Sequence, residues 1–75
     1  MAIDLLVIDH QIRALRIQKE LGSMIHEITC VREEPNIKLE AHGRLAMAMT
    51  AYMQALEAVK NAECFVRLCG ELTKD

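Results

Sequence analysis

Histidines and cysteines are the residues best suited to chemistry in this chain, and their spacing does not suit it. His10, His26 and His42 lie too far apart along the sequence to form a local metal-binding motif. They are read as surface or hairpin-flank residues, and neither a metal nor another cofactor is expected. Cys64 and Cys69 fall on different faces of a helix and lack a Cys-x-x-Cys relationship. With Cys30 they read as small buried hydrophobes. The chain contains no nucleophile elbow, no glycine-rich phosphate loop and no His-Glu-x-x-His motif. No catalytic residue is assigned, and an enzyme is not expected.

What remains is binding chemistry. Thr50, Gln54, Glu57 and Asn61 follow one another at helical spacing beside Met47, Met53 and Phe65. Such a polar ladder has three readings: the solvated edge of a helix, a line that sets an oligomer's register, or hydrogen-bonding groups for a ligand at a subunit boundary. Arg44 and Lys38, one to two turns upstream, supply the positive charge that an anionic ligand needs. Arg13, Arg16 and Lys19 make a short basic run, but Glu20 and Glu27 follow and the net charge is -2. Without an aromatic platform for stacking, nucleic-acid binding is disfavoured and a solvated face is the simpler reading. The methionines Met24, Met47, Met49 and Met53 read as core filler, with an adaptable binding groove as the alternative.

The elements that must carry these residues follow from composition. Hydrophobic residues make up 52% of the 75-residue chain and aromatics only 3%. Ala, Leu, Ile and Met must therefore do the packing, and they favour helices over sheets. Three glycines and one proline are too few for the turns of a multi-stranded fold. The expectation is all-α, a single helical domain over residues 1–75. A chain this short sits where one core barely offsets conformational entropy, so a staple is needed. The odd cysteine count and the lack of a secretory leader point away from disulfides and towards the reduced cytoplasm. No uncharged stretch is long enough to span a membrane. Homo-oligomerisation is the expected staple.

Along the chain, Asp4 is a credible helix N-cap, with Ile3 and Ile8 as a hydrophobic staple. Leu5, Ile8, Ile12 and Leu15 form one apolar stripe. Ile17, Leu21, Met24, Ile25, Ile28 and Val31 form another, rotated by roughly half a turn on a helical wheel. Either the first helix bends or breaks near Gly22, or both of its faces are covered, one by the hairpin partner and one by another subunit. Arg32-Glu33-Glu34-Pro35-Asn36 is the turn. A second long helix is expected from about Ile37 to about Leu72, with a main stripe of Ala41, Leu45, Ala48, Met49, Tyr52, Ala55, Leu56, Val59, Ala62, Val66 and Cys69. Its alanines permit close helix approach. Gly70 is expected to mark fraying towards the polar end Thr73-Lys74-Asp75.

Two segments carry a family resemblance: Leu21-Gly22-Ser23-Met24-Ile25, and the run Arg44-Leu45-Ala46-Met47-Ala48-Met49-Thr50-Ala51-Tyr52-Met53-Gln54-Ala55-Leu56-Glu57-Ala58-Val59. Together they resemble the small helical phage proteins that sequester cyclic nucleotides, the anti-CBASS sponge proteins, over about half of the chain. The resemblance implies a non-catalytic anti-defence protein in the cytoplasm of a bacterial host. It would bind a cyclic oligonucleotide messenger in pockets at oligomer interfaces. Arg44, Thr50 and Gln54 match the family's ligand positions, and Lys38 adds charge nearby. Two alternatives stand beside this reading. One is a protein-interaction module or inhibitor that docks on a host protein. The other is a nucleic-acid-associated helical-bundle dimer with Arg13, Arg16 and Lys19 facing the polyanion.

Overall fold

The computed structural model describes residues 2–72, which form two helices, α1 (Ala2–Arg32) and α2 (Leu39–Leu72), joined by one short turn. Among the described residues there is no strand, so the all-α hairpin expected from composition is what the chain adopts. No described helix is long and apolar enough to cross a membrane. The polar end at residues 73–75 lies outside the described residues.

Helix α1 runs unbroken through Gly22 and Ser23. A lone glycine costs a helix interior only about 1 kcal/mol, too little to interrupt a helix whose neighbouring turns are packed. The helix also begins earlier than expected. Asp4 lies inside the first turn rather than at the N-cap, where its carboxylate still complements the positive end of the helix dipole. Between the helices, Glu34 N–H donates to Val31 O at 3.1 Å and Ile37 N–H to Glu34 O at 3.4 Å. The second bond closes a β-turn with Pro35 and Asn36 at its centre, positions those residues favour. Pro35 and Asn36 thus make the turn instead of starting α2, which begins at Leu39.

The helices meet along one seam with alternating spacings of three and four residues, the repeat that keeps two helices in contact over many turns. Near the turn the seam is apolar: Leu21, Ile25 and Ile28 of α1 face the strip Leu45, Met49, Tyr52 and Leu56 of α2, all at least partly buried. Here Arg32 reaches across, its guanidinium donating to Met49 Sδ at 3.3 Å. The Thr29 hydroxyl donates to Ile25 O of its own helix at 2.9 Å and lies 3.7 Å from the same sulfur. Arg32 leaves its buried Nε–H without a partner.

Towards the open end the seam changes character. Gln11 and Gln18 of α1 and Glu63 of α2 are partly buried between the helices, around Ala14, the one buried apolar residue among those described. At the tip Gly70 is buried against Val7: a methyl built on Gly70 would stand 2.7 Å from Val7 Cγ2. Gly70 therefore permits close approach rather than marking frayed chain.

A single seam leaves much of the molecule uncovered. The chain measures 59 × 15 × 12 Å with a radius of gyration of 17.2 Å, against about 11 Å for a compact domain of this length. Its accessible surface is 5999 Å², whereas a compact monomer of the same mass exposes about 4,650 Å².

Candidate functional site

The residues singled out for binding lie on α2 near the turn. Arg44 stands in the second turn of the helix, and its guanidinium donates to Glu40 Oε1 at 3.0 Å across one helical turn. Both side chains are more than three-quarters exposed, so the pair contributes little to stability and gives way readily to another anion. The Thr50 hydroxyl donates to its own helix at Ala46 O, 3.1 Å away. Its lone pairs face solvent and remain able to accept. Gln54, one turn further on, is exposed, as is Lys38 in the turn before α2.

Arg44, Thr50 and Gln54 all fall outside the seam, Thr50 and Gln54 on the outward side of α2 and Arg44 on its flank, over roughly 15 Å of helix. Exposed Met47 and Met53 and the exposed alanines Ala51, Ala55 and Ala58 lie among them. Arg44 and Thr50 point about 120° apart around the helix, so these groups spread over the outward side and flank of α2 and close no pocket within one chain. The wider ladder divides likewise: Glu57 and Asn61 continue the exposed line.

The grooves of the hairpin lie elsewhere, at its open half. One of about 240 Å³ runs between His10, Arg13 and Ile17 of α1 and Val59, Ala62 and Val66 of α2. On the opposite side of the seam a second groove is lined by Val7, Ile8, Gln11, Arg67 and Gly70. Both are shallow clefts beside the helix contact, mainly apolar in the first case, and neither includes Arg44, Thr50, Gln54 or Lys38.

Several polar residues have simple structural partners. Arg13 pairs with Asp9 at 3.1 Å on the surface of α1. Arg67 donates to Cys64 Sγ at 3.6 Å. That hydrogen bond, helped by the nearby charge of Glu63, raises the guanidinium's pKa above its ordinary value, so Arg67 is a cation at every physiological pH. The cysteines are less buried than their residue type suggests: Cys30 and Cys69 are exposed and Cys64 is only partly covered. His26, also exposed, lies 3.6 Å from Cys30 Sγ. No grouping of His, Cys, Asp or Glu among the described residues could hold a metal ion.

Sequence reasoning missed the polar positions of the seam. Gln11, Gln18 and Glu63 are polar types, which a search for apolar stripes passes over. The available signal was their place in the same three-and-four spacing as Val7, Ala14 and Leu21 on α1, and as Val59 and Val66 on α2. Compared with known proteins, the chain matches no family model, no curated protein and no solved structure.

Proposed function

We propose that this chain is a non-catalytic, phage-type anti-defence protein that binds and sequesters a cyclic nucleotide immune messenger, acting in the cytoplasm of a bacterial host. Its pockets would form where copies of the chain meet. The observation that carries this reading is the outward face of α2. Thr50 and Gln54 stand there among exposed methionines and alanines, and Arg44 lies on the flank beside them with only a weak surface ion pair to displace. A guanidinium suits a phosphate, and hydroxyl and amide groups suit the base or ribose edge. The apolar residues between them suit closure by a second helix, which would exclude water from the bound ligand. Sequestration requires no catalytic group, in keeping with the chemistry of the chain. The sequence resemblance supplies the ligand class.

The experiment is calorimetry and thermal shift against a panel of cyclic di- and trinucleotides. A ligand held at 100 times its dissociation constant stabilises the bound form by about 2.7 kcal/mol. That corresponds to a rise in Tm of about 10–20 °C, which Arg44→Ala should abolish. Absence of both heat and thermal shift across the panel removes the reading.

A second reading, docking on a host protein, is favoured by the exposure of Met47, Met53 and Phe65 along α2, since such side chains adapt to varied partners. It predicts a stable hetero-complex, whereas recovery of the chain assembled only with itself counts against it.

A further inference from the structure

The open half of the hairpin is built inside out. Gln11, Gln18 and Glu63 occupy the seam, while Leu5, Ile8, Ile12 and Leu15 of α1 face solvent at 69%, 54%, 49% and 65% exposure. These four residues repeat with spacings of three, four and three, which is the pattern of a helix contact seam. It is a second seam on α1, turned about 100° from the one that meets α2. A lone exposed leucine needs no explanation, but a full contact stripe does.

We infer that this stripe pairs with the same stripe of a second copy, the two α1 helices running antiparallel about a twofold axis. Three properties favour that occupant. First, the three-four-three spacing reads identically in both directions. Antiparallel pairing sets Leu5 against Leu15 of the second copy and Ile8 against Ile12, as a self-complementary interface requires. Second, the charges beside the stripe are polarised, with Asp4 and Asp9 in its first half and Arg13, Arg16 and Lys19 in its second or just beyond. Lys19 continues the stripe, and antiparallel pairing carries it to the start of the other copy's helix, about one turn from Asp4, while Asp4 itself comes level with Arg16. Among the described residues neither Asp4 nor Lys19 has an ion pair of its own. Parallel pairing would instead set Lys19 beside Lys19. Third, the area fits. The chain exposes 5999 Å², roughly 1,300 Å² beyond a compact monomer, and a stable dimer covers about 800 Å² on each partner.

This pairing takes up the assembly that the proposed function needs, but it lies at the far end of the hairpin from Arg44 and Thr50. A chain that dimerises without binding a nucleotide would therefore refute the ligand and leave the pairing standing.

Sedimentation of the full chain without ligand tests the inference. The native chain is expected to be a dimer or a larger even-numbered assembly. Ile8→Glu and Ile12→Glu each place a charge in the contact twice over and should weaken the dimer about a hundredfold or more. Lys19→Glu should weaken it, and adding Asp4→Lys should restore it, with helix content followed by circular dichroism throughout. A native monomer at high concentration, or an assembly indifferent to the Ile8 and Ile12 changes, overturns the pairing. A charge-swapped double variant no tighter than Lys19→Glu alone overturns its antiparallel direction. The charge series relies on exposed residues only, so it decides even if a glutamate variant loses its fold.

Discussion

Replacing Gly70 by alanine should weaken the hairpin, although alanine is the better helix former. The methyl would stand 2.7 Å from Val7 Cγ2 and 3.8 Å from Val7 Cβ, the first about 1 Å inside ordinary carbon contact. Val7 has little room to yield, because a β-branched side chain in a helix keeps one preferred rotamer. Overpacking of this kind costs about 1–3 kcal/mol, against a gain of about 1 kcal/mol from removing glycine. The net expectation runs from no change to a loss of about 2 kcal/mol. Gly22 and Gly43 provide the control, since a methyl on either meets nothing within 4 Å. Gly22→Ala and Gly43→Ala should each stabilise by about 0.5–1 kcal/mol. The contrast between sites removes helix propensity and leaves the clash. Thermal and urea unfolding followed by helix signal, at matched protein concentration, measures it, with about 4–8 °C in Tm for each kcal/mol. In a Val7→Ala background the Gly70→Ala penalty should vanish. If Gly70→Ala raises Tm as much as Gly22→Ala does, the helices do not approach closely at the open end and the register described here is wrong.

Other outcomes follow from the same geometry. Leu56→Ala removes a partly buried seam residue and should cost about 2 kcal/mol or more. Leu15→Ala, on the exposed stripe, should leave the dilute hairpin within about 0.5 kcal/mol of its starting stability. Met49→Leu keeps the packing volume but loses the sulfur that accepts from Arg32; a cost below about 1.5 kcal/mol is expected, and Met49→Ala should cost clearly more in the same urea titration. Glu40→Gln releases Arg44 from its surface partner with a stability change of less than about 1 kcal/mol. If Arg44 meets a phosphate, that substitution should tighten nucleotide binding in calorimetry, and a weakening would contradict the role given to Arg44.

The parts of the fold legible in the sequence are those where residue type and helical spacing agree. Of the stripe expected on α2, Leu45, Met49, Tyr52, Leu56, Val59 and Val66 are turned at least partly inward. Ala55, Ala62 and Cys69 are exposed, because they sit one residue off the three-and-four spacing of the seam or at its edge. Pro35 and Asn36 likewise mark a turn in both views. Where type and position conflict, sequence reasoning went astray. Gln11, Gln18 and Glu63 occupy seam positions with polar side chains, so the open half of the contact was legible on α2 only through Val59 and Val66 and not on α1. Gly70 carries two meanings, a weak helix former or a point of close approach, and only the position of Val7 separates them. The two apolar stripes of α1 left a choice between a break at Gly22 and a helix with two apolar faces. The continuous helix selects the second, with Leu21, Ile25 and Ile28 turned to α2 and Leu5, Ile8, Ile12 and Leu15 turned to solvent. Arg44, Thr50, Gln54 and Lys38 are all exposed in the hairpin, and nothing within one chain brings them together.

The claim that this hairpin acts as an assembly able to hold a cyclic nucleotide is tested most directly by native mass spectrometry of the protein as recovered from bacterial cells that make the messenger. The account predicts an even-numbered homo-oligomer carrying added mass equal to whole cyclic oligonucleotides. A bare monomer would contradict both parts of it, and a bare oligomer would contradict the sequestration.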